Sequence, residues 1–234
     1  MSETTTDGAE ASKASDAKAK AEDAPGERES SPYAGMLFVI SSPSGGGKGT
    51  LIRRILKSVP HLGYSVSWTT RSPRAGERDG VNYHFVSVEE FERMIERGGF
   101  LEWARVHGRL YGTTREAVER ETLAGRDVIL EIDVQGAAAI RRSMQDAVQV
   151  FILPPSFEVL RERLRGRQTE TPADLSVRLS NARAEVERYT EFDYIVLNDE
   201  VTRAAAQLAS IVYAERARRE RQQGLARRVL ETFP

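Results

Sequence analysis

Residues 36–41 read Met-Leu-Phe-Val-Ile-Ser, an unbroken apolar run suited to a strand buried on both faces of a parallel sheet. A glycine-rich stretch follows, from Ser42 to Thr50. Leu51, Ile52, Ile55, Leu56 and Val59 then share one helical face, with Arg53, Arg54 and Lys57 on the other, until Pro60 closes the helix. Residues 64–69 alternate and predict a strand. Residues 71–82 carry Pro73, Gly76 and Gly80 and predict turns. A short strand over 83–86 and a helix over 88–97 come next, then a hairpin of 100–106 and 109–112 around Gly108, and a helix over 114–124. Residues 128–133 form a second buried strand ending in an acid, and 135–142 a helix. Residues 148–153 form a third buried strand, stopped by Pro154 and Pro155. Phe157, Leu160 and Leu164 mark a helix, 165–172 an irregular polar link, and 175–189 a long charged helix. Residues 194–197 supply a last core strand, and Val201, Ala205, Leu208 and Val212 a closing helix. Strands alternating with helices predict an α/β domain with a parallel sheet core flanked by helices. Residues 67–113 read as a β-rich insertion into it.

The pattern is missing from residues 1–34. Before Tyr33 there is no aromatic residue and no valine, leucine or isoleucine. Such a segment cannot bury enough apolar surface to offset its ordering entropy, so a disordered acidic tail is expected. At the other end, residues 215–234 hold Arg216, Arg218, Arg219, Arg221, Arg227 and Arg228. A solvated helical face is favoured there over a subunit contact. The chain has 34 basic and 35 acidic residues, a balance that argues against a protein coating nucleic acid. It has no cysteine, which excludes disulfides and thiolate metal sites. No apolar run is long enough to span a bilayer and no secretory leader is visible, so a cytoplasmic protein is expected.

The stretch Ser42-Pro43-Ser44-Gly45-Gly46-Gly47-Lys48-Gly49-Thr50 sits between strand and helix and is close to the phosphate-loop pattern GxxxxGK[ST]. Small residues let backbone N–H groups turn inward around phosphate oxygens, and a helix N-terminus behind them favours negative charge. A lysine bridges the outer phosphates. Ser42 replaces the first glycine of the pattern, and Gly49 stands where a metal-ligating hydroxyl is usual. Thr50, one residue later, or a water is left to serve there.

Downstream come Thr69-Thr70-Arg71-x-x-Arg74, Asn82-Tyr83, Leu101-Glu102-Trp103, Tyr111-Gly112-Thr113 and Leu130-Glu131-Ile132-Asp133-x-Gln135-Gly136. With these motifs in this order, the sequence closely resembles the guanylate kinase family from about residue 35 to about residue 214. The resemblance implies a P-loop nucleoside monophosphate kinase fold: a core (35–66, 114–160 and 190–214), a GMP-binding insertion (67–113) and a lid (161–189). It implies transfer of a phosphoryl group from ATP to GMP, with Mg²⁺. Ser42 to Thr50 would bind ATP. Ser67, Arg71, Arg74, Tyr83, Glu102, Tyr111, Thr113, Glu131 and Asp133 match positions that bind GMP. Lys48, Arg163, Arg167 and Arg178 match catalytic positions, and Arg183 is a fainter candidate.

The side chains suit these roles chemically. Guanidinium forks at Arg71 and Arg74 and phenols at Tyr83 and Tyr111 suit a phosphate dianion. Guanine presents two adjacent donors, which one carboxylate accepts together; adenine would leave that carboxylate unpaired. Glu102 occupies that position in the family pattern. Glu131 and Asp133, two apart on the expected strand, would face one way, toward the carboxyl edge of the sheet. Glu131 stands where the family usually has Asp, near GMP or metal-bound water. Asp133 is open to either a base contact or a role near the metal. A helical lid with several arginines fits phosphoryl transfer, which proceeds through positioning and cations. Two other readings remain open: a peptide-binding module built on the same fold, and a different P-loop kinase acting on adenylate. The first should lack Lys48 and the lid arginines, which are present. The second does not account for Glu102.

Overall fold

A computed structural model of the chain describes residues 35–106, 108–166 and 172–234. The tail expected over 1–34 lies outside them. The first strand, β1 (Leu37–Ser41), is buried along its whole length. It is flanked by β7 (Asp127–Glu131) and β8 (Val148–Leu153), with β2 (Leu62–Tyr64) and β9 (Tyr194–Leu197) at the edges. All pairings in this five-stranded sheet are parallel. On one face, α1 (Lys48–Ile55) and α7 (Val201–Arg216) bury Ile52, Ile55, Leu208 and Val212 against Phe38 and Ile40. On the other, α3 (Arg115–Leu123) and α4 (Val134–Ser143) bury Val118 and Ile140 against Leu37, Val39 and Leu130. Because β1 lies between β7 and β8, the connections leaving its carboxyl edge and its neighbours' open a crevice there.

The second sheet belongs to the insertion. It orders β4 (His84–Phe85), β3 (Trp68–Thr69), β6 (Arg109–Thr114) and β5 (Phe100–Val106). Helix α2 (Val88–Glu96) starts at Ser87, whose hydroxyl accepts the Glu90 N–H, and drives Phe91 under the sheet. Phe91 stacks on Phe100 with ring centroids 4.3 Å apart. Two helices, α5 (Phe157–Arg165) and α6 (Pro172–Glu187), span most of the segment expected to be a lid and share a small cluster of Leu160, Leu164 and Ala182. The last helix, α8 (Arg219–Leu230), buries none of its residues.

Two sequence expectations change. The run over 64–69 is not one strand. Tyr64 ends β2 in the core sheet, the Ser65 N–H still bonds the Ile129 carbonyl, and the chain then crosses to pair Trp68 with Gly112 in the second sheet. Alternation is blind to which sheet a residue joins. Nor is Asp133 a strand residue: β7 ends at Glu131, and Asp133 caps α4 by accepting the Gly136 N–H at 2.8 Å. Its approach to the crevice comes from a helix start and not from strand pleating.

Segments distant in sequence meet at Asp127, which is 1% exposed. Its carboxylate accepts the Met36 N–H at 2.7 Å and the Arg216 Nε at 2.7 Å, while Arg216 also reaches the Pro60 carbonyl. Removing one partner of a buried pair strands the other, so Asp127→Ala is expected to cost about 3 kcal/mol. Urea denaturation measures it, and an unchanged midpoint would show that the pair is not stabilising.

Candidate active site

Phosphate-loop geometry follows from its glycines. Gly45 and Gly47 hold φ of 85° and 89°, a region hostile to side chains, and Gly47 directly precedes Lys48, the first residue of α1. A Cβ on Gly47 would also collide with the Asn198 amide nitrogen. That amide donates to the Gly46 carbonyl at 2.8 Å, and Arg163 donates to the Asn198 carbonyl at 2.9 Å and the Gly46 carbonyl at 3.5 Å. Both contacts hold the Gly46 carbonyl on the side of the loop where Asn198 and Arg163 lie. Arg163 thus braces the loop from its carbonyl side. Ser42, Ser44, Gly45, Gly47, Lys48, Gly49 and Thr50 line a cleft of 720 Å³. Pro43 is buried in the loop and takes the Gly46 N–H on its carbonyl.

Across the cleft the insertion presents Arg74, Glu77 and Tyr83. Burial, followed by the charge on Glu131, pushes the Tyr83 phenol up to about 12, so it remains a neutral donor at physiological pH. Arg71 does not open onto this cleft. Its guanidinium pairs with Glu77 at 2.9 Å and lies 5.3 Å from the Tyr83 ring centroid. Glu77 also accepts the Arg74 N–H at 2.7 Å. One acid therefore organises both arginines, a role that spacing alone does not reveal.

A second cavity of 210 Å³ continues from the first, sharing Ser42, Ser44, Lys48, Arg74, Tyr83 and Glu131 with it. Its inner end holds Glu102, Ser67, Tyr111, Ile132 and Asp133. Glu102 is 6% exposed. A bulge in β5 accounts for this: pairing shifts between Phe100 and Glu102, so consecutive residues are buried and Glu102 comes opposite Thr113. The fully buried Thr113 hydroxyl donates to Glu102 Oε1 at 2.8 Å. Thr113 acts on the cavity through this bond, since it does not line the cavity itself. Among the described residues no cation pairs with Glu102. Burial pushes its carboxyl up to about 7, with Asp133 adding repulsion and the Thr113 bonds opposing both. The result is a carboxylate placed at the end of a nucleotide-sized cavity at a desolvation cost.

Glu131 lies at the junction of the two cavities, accepting the Tyr64 hydroxyl at 3.4 Å. A Cβ on Gly49 would sit 3.2 Å from Glu131 Oε1. The carboxylate thus crowds the place where the loop pattern usually carries a hydroxyl. Thr50 is exposed and its hydroxyl accepts from Arg53 at 3.3 Å. Arg53, assigned by periodicity to the solvent side of α1, lines the cleft. Arg178 reaches the loop from α6, donating to the Ser44 hydroxyl at 3.2 Å. Arg183 is exposed and pairs with Glu187 along the helix. Arg167 lies outside the described residues. Asn198, which none of the motifs above contains, directly follows the edge strand β9 at the sheet's carboxyl edge. That placement could have flagged it.

A phosphate loop at the carboxyl edge of a parallel sheet, a second lobe facing it and a helical lid define a P-loop nucleoside monophosphate kinase fold. The sequence model of guanylate kinase matches residues 34–215. Guanylate kinase from Syntrophotalea carbinolica is 47% identical over 197 residues, covering 84% of this chain and 94% of that one. Guanylate kinase from Neisseria gonorrhoeae is 51% identical over 197 residues, covering 84% and 96%. The crystal structure of guanylate kinase from Anaplasma phagocytophilum superposes with a TM-score of 0.71 at 34% identity, covering 86% of this chain and 96% of that one. The chain belongs to the guanylate kinase family and is a phosphotransferase.

Proposed function

We propose that this chain transfers the γ-phosphoryl group of ATP to GMP, giving ADP and GDP. The observation that carries the reading is the continuity of the two cavities, with Lys48 and the loop amides at one end and buried Glu102 at the other. ATP is assigned to the loop, its outer phosphates to Lys48. GMP is assigned to the inner cavity, with guanine against Glu102, Ser67 and Asp133, and its phosphate held by Arg74, Tyr83 and Tyr111. Arg71 is assigned to orienting Tyr83, and Thr113 to orienting Glu102. The GMP phosphate is already ionised and attacks directly, so no general base is required. Arg167 and Arg178 are assigned to charge on the migrating group and to lid closure, which excludes water, and Arg163, which holds the Gly46 and Asn198 carbonyls, to bracing the phosphate loop.

Mg²⁺ is expected to enter with ATP. Among the described residues no three acidic or histidine side chains converge on a metal site. Near Gly49 the oxygens are those of the Glu131 carboxylate, with the Thr50 hydroxyl one residue on. That sparse oxygen set fits a Mg²⁺ held mainly by phosphates and water. When bound, it would neutralise phosphate charge. Glu131 would stand in for the hydroxyl missing at Gly49, and Thr50 is the weaker candidate because its hydroxyl already accepts from Arg53. Among the described residues, no helix is long and apolar enough to cross a membrane. A cytoplasmic location is the setting that suits this chemistry.

Calorimetric titration with GMP and with AMP, followed by an ATP-coupled assay, tests the assignment. GMP should bind and turn over, and equal heats for the two nucleotides would overturn it. Gly136 offers a subtler test. A Cβ there would lie 2.8 Å from Glu102 Oε2, the mobile end of a side chain. Gly136→Ala should therefore leave the fold intact yet displace the carboxylate, weakening GMP roughly tenfold, the equivalent of one hydrogen bond to a charged group. A GMP titration at matched melting temperature reads the effect.

A further inference from the structure

Helix α6 places two side chains on one residue of the phosphate loop. Arg178 donates to the Ser44 hydroxyl at 3.2 Å, and the Ser44 N–H donates to Glu185 Oε2 at 3.0 Å. Residues 178 and 185 are two helical turns apart and so share a face. Ala182 lies on the same face between them, 1% exposed, in the cluster with Leu160 and Leu164. Those leucines press on the next loop residue: a Cβ on Gly45 would be 2.9 Å from Leu164 Cγ and 3.1 Å from Leu160 Cδ1. The lid therefore grips the loop by an apolar contact at Gly45 and a polar clasp at Ser44.

The acid in that clasp is out of place electrostatically. Glu185 lines the inner cavity together with Lys48, Arg74 and Tyr83, where two phosphorylated substrates must meet. A negative charge there repels both unless it performs a task a neutral residue would not. Its one bond in the clasp is to a main-chain amide of the anion-binding loop, and a hydrogen bond to a charged acceptor is among the stronger ones.

We propose that Glu185 is a positioning residue for phosphoryl transfer. Its carboxylate fastens α6 to the phosphate loop, which fixes the Ser44 amide and the direction from which Arg178 enters the cleft. This rests on the kinase reading, but the clasp can be measured without catalysis. Glu185 is half-buried on a helix, so alanine is compatible with the local backbone.

The experiment compares the full chain with Glu185→Ala and Glu185→Gln. Hydrogen exchange over residues 42–47 is followed without nucleotide, and steady-state kinetics with ATP and GMP varied in turn. The alanine variant should exchange roughly tenfold faster over the loop and lose roughly tenfold in kcat, the worth of one charge-assisted bond. Its KM for GMP should rise by no more than about twofold, because the clamp on the other lobe is untouched. Glutamine, whose carbonyl can still accept the Ser44 N–H, should restore most of both. Unchanged exchange in the alanine variant overturns the proposal. So does a gain in ATP affinity at constant kcat in both variants, which would make the carboxylate a placeholder for phosphate. If the native chain fails to phosphorylate GMP while the exchange results hold, the kinase reading fails and the clasp stands.

Discussion

Replacing Glu102 with glutamine is expected to make this protein more stable and a poorer judge of bases. Between the carboxyl's ordinary value of 4.5 and about 7, the folded chain holds a proton that the unfolded chain releases. Stability contributed at this site therefore falls as pH rises through that window. Glutamine removes the penalty, and at about pH 8 a gain on the order of 2 kcal/mol is expected in denaturant titrations. The same change removes the acceptor pair for the two guanine donors. An amide offers one acceptor and one donor, so one guanine N–H meets an N–H, whereas adenine N1 gains a partner. The ratio of GMP to AMP affinity should drop by roughly 10²-fold. In the native chain, GMP binding should tighten about tenfold from about pH 6 to about pH 8 as the carboxyl ionises. The substrate's own phosphate also titrates near this range, so the quantity to plot is the affinity of the native chain relative to the variant. An unaltered GMP-to-AMP ratio would remove Glu102 from base recognition.

Lys48→Ala should give the opposite split: no change in stability and little turnover. Lys48 opens α1 on the cleft, and no salt bridge ties it into the fold among the described residues. Truncating a half-exposed side chain outside the core should alter stability by no more than about 0.5 kcal/mol. Loss of a cation aimed at developing phosphate charge should lower kcat by roughly 10²–10³-fold. GMP binding should survive, because its proposed clamp sits on the insertion, across the cleft from the loop. A coupled assay and a GMP titration on the same preparation separate these effects. Equal loss of GMP binding would mean that the two nucleotide positions are not separate.

Much of this arrangement is local in origin and therefore legible in the chain. The buried runs at 36–41, 128–133 and 148–153 announce parallel strands, the second of them two residues too long, and Ser42 to Thr50 between strand and helix announces an anion-binding loop. Glu102, Arg74, Tyr83 and Lys48 could be named because motifs carry them. Other features depend on partners far away in sequence. Glu77 organises the arginines through an ion pair and a main-chain bond, and Asn198 braces a loop about 150 residues earlier through one amide. Periodicity placed Arg53 on the exposed face of its helix, where it is, but could not show that this face borders the cleft, because the lobe opposite is far away in sequence.

The order of apolar and polar residues determined which segments became strands and helices, and the chemistry of short motifs determined the class of ligand. Both are set by neighbours a few residues away, where spacing and dihedral preference act directly. Tertiary structure decided the rest: the pairing of β5 with β6, whose bulge turns Glu102 inward, and the desolvation that raises its carboxyl. It also placed Glu131 over Gly49. Burial and electrostatics sum over whatever surrounds a group in space, and that sum does not exist until separate stretches of chain have come together.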